Sequence, residues 1–331
     1  MSMMPFRPSR RALLAAPLLA VPLGGGQAMA AEGGFNGFLA GLRRDALALG
    51  IRAATVDLAF RYIQFLPKVI ELDRRQSEHK MTFAEFIGKV VNPQRLEDAR
   101  RNLAENSGLL QRVQQRFNVQ PRFIVALWGI ESDFGKTQGS YSVPASLATL
   151  AYEGRRGALF RGELIAALRI LDQGHIRADN MLGSWAGAMG QCQFMPSTFL
   201  SYAVDFDGDG RRDIWNNRAD VLGSIANFLA RLGWHGNESW GREVVVPGNF
   251  DTRLAGLDNR RPSAEWSRLG VRSVGAAPLT GREPDGSLLL PDGLGGRALL
   301  VFDNFRATMK WNKSVPFAAA VGMIADGIDR G

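Results

Sequence analysis

One apolar helix that ends in a single carboxylate constrains this 331-residue chain more than any other feature. The segment reads Ala126-Leu-Trp-Gly-Ile-Glu131-Ser-Asp-Phe-Gly135. Apolar side chains recur from Pro121 onward at the spacing of a mostly buried helix, with Pro121 in its first turn and Gly135 marking its end. Glu131 is then predicted near the negative end of the helix dipole and among apolar neighbours. Both effects disfavour the ionised form and raise the pKa of the carboxyl group.

A carboxylic acid that stays protonated near neutral pH is the proton donor that cleavage of a glycosidic bond requires. A partly buried glutamate also fits a purely structural role, held by an arginine or by a backbone amide. Structural ion pairs perturb pKa values too. The helix alone therefore leaves both interpretations open.

The first thirty residues have the pattern of a secretory leader. Arg7, Arg10 and Arg11 precede an apolar run over 12–23, and Ala28-Met-Ala30 is a small-residue cleavage signal. The run is too short to be a permanent transmembrane anchor. The two adjacent arginines also fit the twin-arginine export route, and no cysteine near the cleavage site offers a lipid attachment point. We expect an exported, periplasmic protein that is not a lipoprotein.

The net charge indicates what kind of partner the protein binds, and the cysteine content indicates what stabilises it. The formal net charge is +8, and loss of the three leader arginines lowers it to +5. This mild basic balance suits an anionic polymer, whereas no basic run with interleaved aromatic residues indicates nucleic acid. The single cysteine, Cys192, cannot form an internal disulfide, so stability outside the cytoplasm is expected to rest on packing.

The periodicity of apolar residues predicts a mainly α (α+β) fold. Helical spacing dominates over 35–135, 146–172, 196–202, 220–232 and 315–328. A short strand over 243–247 and a hairpin formed by 288–293 and 297–302 predict a small β-rich part. The expected organisation is a leader over 1–30, a helical region over 31–120, a catalytic core over 121–239, a β-rich subdomain over 240–303, and a C-terminal segment over 304–331 that returns to the core.

A second signature is rich in glycine and glutamine: Gly183-Ser-Trp-Ala-Gly-Ala-Met-Gly-Gln-Cys-Gln193. Its glycines permit turns and close approach of the backbone. The amides of Gln191 and Gln193 both donate and accept, which suits sugar hydroxyl and acetamido groups. Trp185 and Phe194 can pack against a sugar face. A tight loop whose glutamines satisfy their own backbone is the alternative.

A third signature matches the start of a calcium loop. Asp205, Asp207 and Asp209 alternate along the chain, and Gly210 follows at the sharp turn. Arg211 offers its backbone carbonyl as a ligand, and Asp213 falls where a water-mediated ligand is usual. The match breaks at the twelfth position, which is Asn216 instead of a bidentate glutamate, and Asp220 is available to close a longer loop. The candidate ligands are Asp205, Asp207, Asp209, Arg211 through its carbonyl, Asp213 and Asp220. An aspartate-glycine turn without an ion is the alternative, but clustered carboxylates repel one another unless a cation is bound.

Together these motifs resemble the lytic murein transglycosylase B family. The matching segments are Ile130-Glu131-Ser-Asp-Phe-Gly135, Ser146-Leu-Ala-Thr-Leu150, Gly187-Ala-Met-Gly190, Gln193-Phe-Met-Pro-Ser197, Tyr202-Ala-Val-Asp-Phe206, Val69-Ile-Glu-Leu-Asp-Arg74 and Trp311-Asn312. They follow the family order over nearly the whole mature chain. The resemblance implies a lysozyme-like core with helical and β-rich additions. It also implies an enzyme that cuts peptidoglycan between N-acetylmuramic acid and N-acetylglucosamine and leaves a 1,6-anhydro end.

By that resemblance Glu131 is the catalytic acid and then the base. The saccharide contacts implied are Ser184, Gln193, Phe194, Trp311 and Asn312. Trp311 stands where the family often has tyrosine, so no hydroxyl contact is expected from it. Asp220 is implied as the closing ligand of a structural calcium site, and the chemistry requires no cofactor. Glycan strands of peptidoglycan are the expected partner, and other cell-wall enzymes are further candidates.

The residues also favour a mechanism with one carboxylate. If Asp133 is helical, it points to nearly the opposite side from Glu131 and cannot complete a carboxylate pair. A muramidase with the same acid and a non-catalytic peptidoglycan-binding protein remain as alternatives. A cysteine peptidase formed by Cys192, His175 and His235 is a further option, but its spacing carries no family signature and a small buried thiol is the simpler interpretation.

Overall fold

The computed structural model describes residues 26–75, 81–279 and 283–329, and side chains from residue 34 onward. Residues 1–25 of the predicted leader lie outside the described residues. No helix within the described ranges has the length and apolar character needed to cross a membrane.

The fold is mainly helical. The helices are α1 (Gly26–Ala48), α2 (Ala53–Phe60), α3 (Pro67–Arg75), α4 (Phe83–Val90), α5 (Pro93–Glu105), α6 (Ser107–Phe117), α7 (Pro121–Ser132), α8 (Val143–Glu153), α9 (Gly157–Asp172), α10 (Pro196–Tyr202), α11 (Arg218–Arg231), α12 (Ser263–Arg268), α13 (Asp303–Trp311) and α14 (Val315–Asp329). The strands are β1 (Tyr141–Ser142), β2 (Leu182–Gly183), β3 (Gly241–Val245), β4 (Arg260–Arg261), β5 (Arg272–Ser273), β6 (Gly286–Leu289) and β7 (Ala298–Val301).

The chain divides into two compact units, of which one contains residues 26–75 and 131–227. Helix α8 is its core, since every residue from Val143 to Ala151 is buried. Helices α1, α3 and α9 pack on α8, while α2 and α10 pack on α9. Asp73 of α3 is buried and accepts hydrogen bonds from Arg155 and Arg156, which follow α8. This unit therefore has an apolar centre braced by one buried ion-pair cluster.

The other unit contains residues 81–130, 228–279 and 283–329. Helix α14 lies at the centre of its helical part and packs on α4, α5 and α13. Gly322 of α14 lies flat against the ring of Trp240, where an added Cβ would come within 2.2 Å of a ring atom. The indole nitrogen of Trp240 donates to Asp326 at 3.0 Å, so its one polar atom is satisfied in the core.

A five-stranded antiparallel sheet completes that unit, in the order β4-β6-β7-β3-β5. Leu288 pairs with Leu300, and Val244 pairs with Ala298. These side chains pack with Trp266 into a local core, which alternating inward residues of short strands are suited to build.

The predicted elements are confirmed with several differences: α12, β1, β2, β4 and β5 were not predicted, and α11 begins at Arg218, two residues before its predicted start. The segment 146–172 forms two helices instead of one, because Gly154 ends α8 in a left-handed conformation with φ +87°. Strand β3 begins at Gly241, two residues before the predicted strand. The predicted hairpin is present as β6 and β7. The proposed domain boundaries stay a prediction.

Candidate active site

Helix α7 carries Glu131 in its last turn. Every residue from Phe123 to Gly129 is buried, whereas Ile130 and Glu131 are half-buried. The helix begins at Pro121 as predicted and ends at Ser132. Glu131 is therefore anchored by a rigid apolar helix, yet its side chain keeps access to solvent. Its position near the carboxyl end of the dipole favours the protonated form.

The chain leaves α7 through three consecutive left-handed residues: Asp133 (φ 50°), Phe134 (φ 56°) and Gly135 (φ 87°). A left-handed conformation costs a non-glycine residue about 1–2 kcal/mol, so local contacts must stabilise this turn. The side chain of Phe134 is buried, and the hydroxyl of Ser132 accepts a hydrogen bond from the amide of Gly135 at 3.1 Å. The turn ends the helix sharply after Glu131.

This turn corrects the prediction that Asp133 is helical. Asp133 lies one residue beyond α7, because the left-handed backbone begins with it. Its carboxylate forms an ion pair with Lys136 at 3.6 Å. The helical geometry on which the separation of Asp133 from Glu131 was based therefore does not apply, and the mechanism with one carboxylate stays a prediction.

The glycine- and glutamine-rich signature folds as a compact loop after β2. Met189 forms isolated β-bridges with Gly183 and with Phe194. The hydroxyl of Ser184 accepts a hydrogen bond from the amide of Ala188 at 3.0 Å. Three of the predicted saccharide contacts, Ser184, Gln193 and Phe194, thus lie on one loop, and all three are buried.

Gln193 braces this loop. Its side-chain nitrogen donates to the backbone carbonyls of Gln138 at 3.0 Å and Gly190 at 2.8 Å. Its own backbone is left-handed, with φ +50°. Gln191 donates in the same way to the carbonyl of Trp215 at 2.8 Å. The side-chain nitrogens of both glutamines therefore donate to backbone carbonyls. This agrees with the alternative that the sequence left open, a tight loop whose glutamines satisfy their own backbone.

Cys192 lies between these glutamines and is completely buried. Burial raises the pKa of its thiol well above the ordinary value, and the negative charges of Glu131 and Asp220 raise it further. A thiolate nucleophile is disfavoured in this setting, which argues against the cysteine peptidase interpretation. The effect of Glu131 on Cys192 also indicates that the Glu131 carboxylate is close to the loop.

Trp311 and Asn312, the two other predicted saccharide contacts, belong to the unit that contains the five-stranded sheet. Trp311 is buried and packs against Phe228, with ring centroids 4.6 Å apart. Asn312 is 2% exposed, and its side-chain oxygen accepts no hydrogen bond from any described residue. A buried acceptor of this kind is rare in folded proteins and suits a ligand that donates.

The aspartate-rich loop brings four carboxylates together. One oxygen from each lies within 4.8 Å of the others, and the four residues are Asp205, Asp207, Asp209 and Asp220. Asp220 is completely buried and accepts hydrogen bonds from the amides of Phe206 and Asp213, both at 2.7 Å. Burial raises the pKa of Asp220 to about 6, although these two hydrogen bonds lower it. The negative charges of Asp207 and Asp205 raise it further.

These residues fit a hard divalent cation. A buried carboxylate beside three others is costly to ionise, and a bound calcium ion would relieve both burial and mutual repulsion. Asp213 is not part of the group of four, and its carboxylate accepts hydrogen bonds from the amides of Trp215 and Asn216. Arg211 donates its amide to Asp209. The roles of Asp213 and of the Arg211 carbonyl as ligands stay predictions.

Asn217 belongs to the loop but was missed in the sequence. Its side chain donates to Asp207 at 2.7 Å and accepts hydrogen bonds from the amides of Ala219 and Asp220. An asparagine immediately before an apolar-periodic segment is a helix-start signal, and α11 begins at the next residue. That signal was sufficient to identify the capping role.

Comparison with known proteins assigns the family. The profile of the family described as "Transglycosylase SLT domain" matches residues 34–326. Membrane-bound lytic murein transglycosylase B of Escherichia coli K12 is 33% identical over 226 residues, which span 66% of this chain and 60% of that protein. The match thus spans about three fifths of the length of this curated relative.

Two solved structures are similar over most of the chain. SltB3 from Pseudomonas aeruginosa, in complex with NAG-anhNAM-pentapeptide, is 45% identical with a TM-score of 0.87, covering 90% of this chain and 80% of that one. Slt35 of Escherichia coli, in complex with calcium, is 25% identical with a TM-score of 0.76, covering 88% and 93%. The resemblance seen in the motifs and the predicted lysozyme-like, mainly helical fold class are confirmed. This chain belongs to the Transglycosylase SLT domain family.

Proposed function

We propose that this protein is a peptidoglycan lytic transglycosylase. It cleaves the bond between N-acetylmuramic acid and N-acetylglucosamine and leaves a 1,6-anhydromuramic acid end. The proposal is supported by membership of a transglycosylase family and by a relative, 45% identical, that was solved with NAG-anhNAM-pentapeptide and with NAG-NAM-pentapeptide. Above all, it rests on Glu131, a half-buried carboxyl group at the end of a buried helix.

Glu131 acts first as the acid. Protonated Glu131 donates its proton to the glycosidic oxygen as the bond to C1 of the muramyl sugar breaks. The acetamido oxygen of that sugar attacks C1 and stabilises the positive charge, so no second carboxylate is required. The N-acetylglucosamine strand leaves with a free hydroxyl group.

Glu131 then acts as the base. Its carboxylate removes the proton from the C6 hydroxyl of the muramyl sugar, and the C6 oxygen attacks C1 and displaces the acetamido oxygen. The sugar closes into the 1,6-anhydro ring, and Glu131 is protonated again for the next turnover. Neither step consumes water, so the fragment that carries the new ring is lighter by one water than the product of hydrolysis.

The predicted saccharide contacts stay part of this proposal. Ser184 and Phe194 are held by a loop whose shape depends on Gln193, so we assign Gln193 a positioning role through its amide nitrogen. The unsatisfied oxygen of Asn312 supports a direct contact with a sugar hydroxyl or amide donor. Trp311 offers an apolar ring and an indole N–H in place of a phenol.

Calcium is proposed as a structural ion. Asp205, Asp207, Asp209 and Asp220 would hold it, and it would supply charge neutralisation that orders the loop before α11. Glu131 needs no Lewis acid for either proton transfer. Export to the periplasm through the leader over 1–30, and partnership with other cell-wall enzymes, complete the proposal.

Zymography on peptidoglycan-containing gels tests the role of Glu131. Glu131→Gln keeps the shape of the side chain but cannot donate or accept the proton, so clearing should fall at least about a thousandfold. Asp133→Asn is the matched control and should clear like the wild type, since Asn tolerates a left-handed backbone. Equal clearing by Glu131→Gln would remove Glu131 from the mechanism, and no clearing by the wild type would favour a peptidoglycan-binding protein.

A further inference from the structure

A polar pocket of about 340 Å³ lies in the unit formed by residues 26–75 and 131–227 and plays no part in the proposed chemistry. It is open on one side. Its lining residues are Arg61, Tyr62, Gln64, Ser142, Ala178 and Asp179. A pocket of this size can hold one sugar ring, and its open side leaves room for a chain that continues beyond it.

One wall is a firmly anchored turn. The backbone amides of Tyr62 and Ile63 donate to the last turn of α2, and the side chain of Ile63 is 9% exposed. The amide of Leu66 donates to the hydroxyl of Thr149 in the buried helix α8 at 3.0 Å. The exposed side chains on either side of Ile63 therefore project from a fixed backbone, which lowers the entropy lost when they bind.

Two of the other lining residues are also held in place. Ser142 lies in β1 directly opposite Leu182 of β2, and its hydroxyl caps α8. Asp179 accepts two hydrogen bonds from Arg177, at 3.0 Å and 2.9 Å. This bidentate pair keeps the Asp179 carboxylate in one orientation.

Several polar groups of the pocket keep hydrogen-bonding capacity for a ligand. Within the described residues, Arg61 forms no ion pair, and the side chains of Tyr62 and Gln64 form no hydrogen bond. Tyr62 is 42% exposed. An accessible aromatic face beside a guanidinium, an amide and a carboxylate suits a sugar ring, because the ring's C–H face packs on the aromatic group while its hydroxyl and acetamido groups bind the planar polar groups.

We propose that this pocket is a distal subsite for an N-acetylated sugar of the glycan strand, away from the bond that is cut. This rests on the function proposed above. Ser142 of the pocket pairs with Leu182, and strand β2 leads from Leu182 to Ser184, two residues further and roughly 7 Å away at about 3.3 Å per residue. A strand held along the Ser184 loop therefore has sugars within reach of the pocket.

The accessible ring of Tyr62 favours the sugar over the peptide stem, because an aromatic face packs on the C–H face of a sugar ring. Arg61 is the single cation in the lining, and the Asp179 carboxylate that shares the lining is already paired with Arg177. One available guanidinium matches the single carboxylate of a muramyl sugar whose stem has been removed, whereas a stem peptide carries several carboxylates.

The test uses purified glycan strands whose stem peptides have been removed by an amidase. A short form cannot reach from the cleavage site at Glu131 to the pocket, and a long form can. The ratio of kcat/KM on long to short strands is measured for the wild type and for Tyr62→Ala and Gln64→Ala. We expect Tyr62→Ala to lower this ratio about five- to tenfold, through KM, as truncation of one well-packed contact does. Leu58→Ala is the control, because Leu58 is equally exposed on α2 but does not line the pocket.

An unchanged ratio in both pocket variants overturns the proposal. A loss that appears only on strands that keep their stems also overturns it and assigns the pocket to the peptide. If the wild type cleaves neither length, the proposed function fails instead. Binding of the same stem-free strands by the wild type and Tyr62→Ala then decides on the pocket: equal affinities contradict the subsite, and weaker binding by the variant supports it.

Discussion

Gly139 lies so close to Gly183 that a Cβ at Gly139 would come within 2.1 Å of the Gly183 carbonyl oxygen. Gly139 follows the turn that ends α7, and Gly183 begins the loop that carries Ser184 and Gln193. The Gly139 backbone is left-handed as well, with φ +92°. Two glycines in contact thus set the spacing between the segment that follows Glu131 and the candidate saccharide loop.

Gly139→Ala should therefore destabilise the protein more than an ordinary substitution at a left-handed glycine. Gly50 is the control, because its φ of +82° is similar but an added Cβ there would meet nothing within 4 Å. We expect Gly50→Ala to lower the free energy of unfolding by about 1 kcal/mol. Gly139→Ala should lower it by about 2–4 kcal/mol, since overpacking adds about 1–3 kcal/mol. Urea unfolding measures both, and equal losses would contradict the close approach.

Gln193→Ala removes a second link between the same segments. The carbonyls of Gln138 and Gly190 would lose their donor, at a cost of about 1–3 kcal/mol for buried groups. A lower Tm should accompany weaker binding of glycan strands, since the loop would lose its shape. Gln115→Ala, at an exposed position on α6, should change neither. A variant at Gln193 with the wild-type Tm would show that the hydrogen bonds are replaced by water.

Asp73→Ala should be among the most damaging substitutions away from the site. Asp73 is 4% exposed and accepts hydrogen bonds from Arg155 and Arg156, so its removal leaves two guanidinium groups without their carboxylate. Breaking such a buried pair costs about 3–5 kcal/mol. Asp57→Ala breaks the exposed pair with Arg43 and should leave stability close to that of the wild type, because solvent screens such a pair. Thermal and denaturant unfolding of the two variants should differ clearly, and similar losses would contradict the structural role of Asp73.

Asp220 makes the calcium-free protein sensitive to pH. Its folded pKa of about 6 lies above the ordinary value of 3.8, so between these values the folded state holds a proton that the unfolded state has released. The free energy of unfolding then falls as pH rises from about 4 to 6, by up to about 3 kcal/mol at 1.4 kcal/mol per pKa unit. Calcium binds the ionised form, so the stabilisation that it provides should grow over the same range.

The measurement compares Tm with calcium and with chelator at pH 4.5 and pH 7. Calcium should raise Tm more at the higher pH, and Asp209→Ala should abolish the rise. Asp220→Asn should remove both the calcium effect and the pH dependence that Asp220 contributes. If calcium leaves the wild-type Tm unchanged at pH 7, the loop is an aspartate-glycine turn without an ion.

The sequence predicted what depends on local signals. Pro121 marks the start of α7 because its fixed φ and missing N–H suit a first turn. The end of the helix was placed too late, near Gly135, because Asp133 and Phe134 already adopt left-handed conformations although neither is a glycine. Asp220 lies with the three loop aspartates as the sequence grouped it, and Asp213 lies outside that group, so its role as a ligand stays a prediction.

What the sequence could not predict depends on long-range contacts. One of the two carbonyls that the Gln193 side chain binds is 55 residues away, so no local pattern distinguishes a glutamine that braces a loop from one that binds a sugar. The pocket beside Tyr62 likewise combines a turn after α2 with residues of β1 and the segment before β2. Only the folded backbone brings these groups together.

The most direct test of the central claim is the mass of the products that the wild-type protein releases from purified sacculi. Disaccharide-peptide products that are lighter by one water than their reducing counterparts, and that fail to react with borohydride, are predicted, because the C6 hydroxyl closes the anhydro ring with Glu131 as its base. Products with a reducing muramyl end would contradict this account and identify the protein as a muramidase.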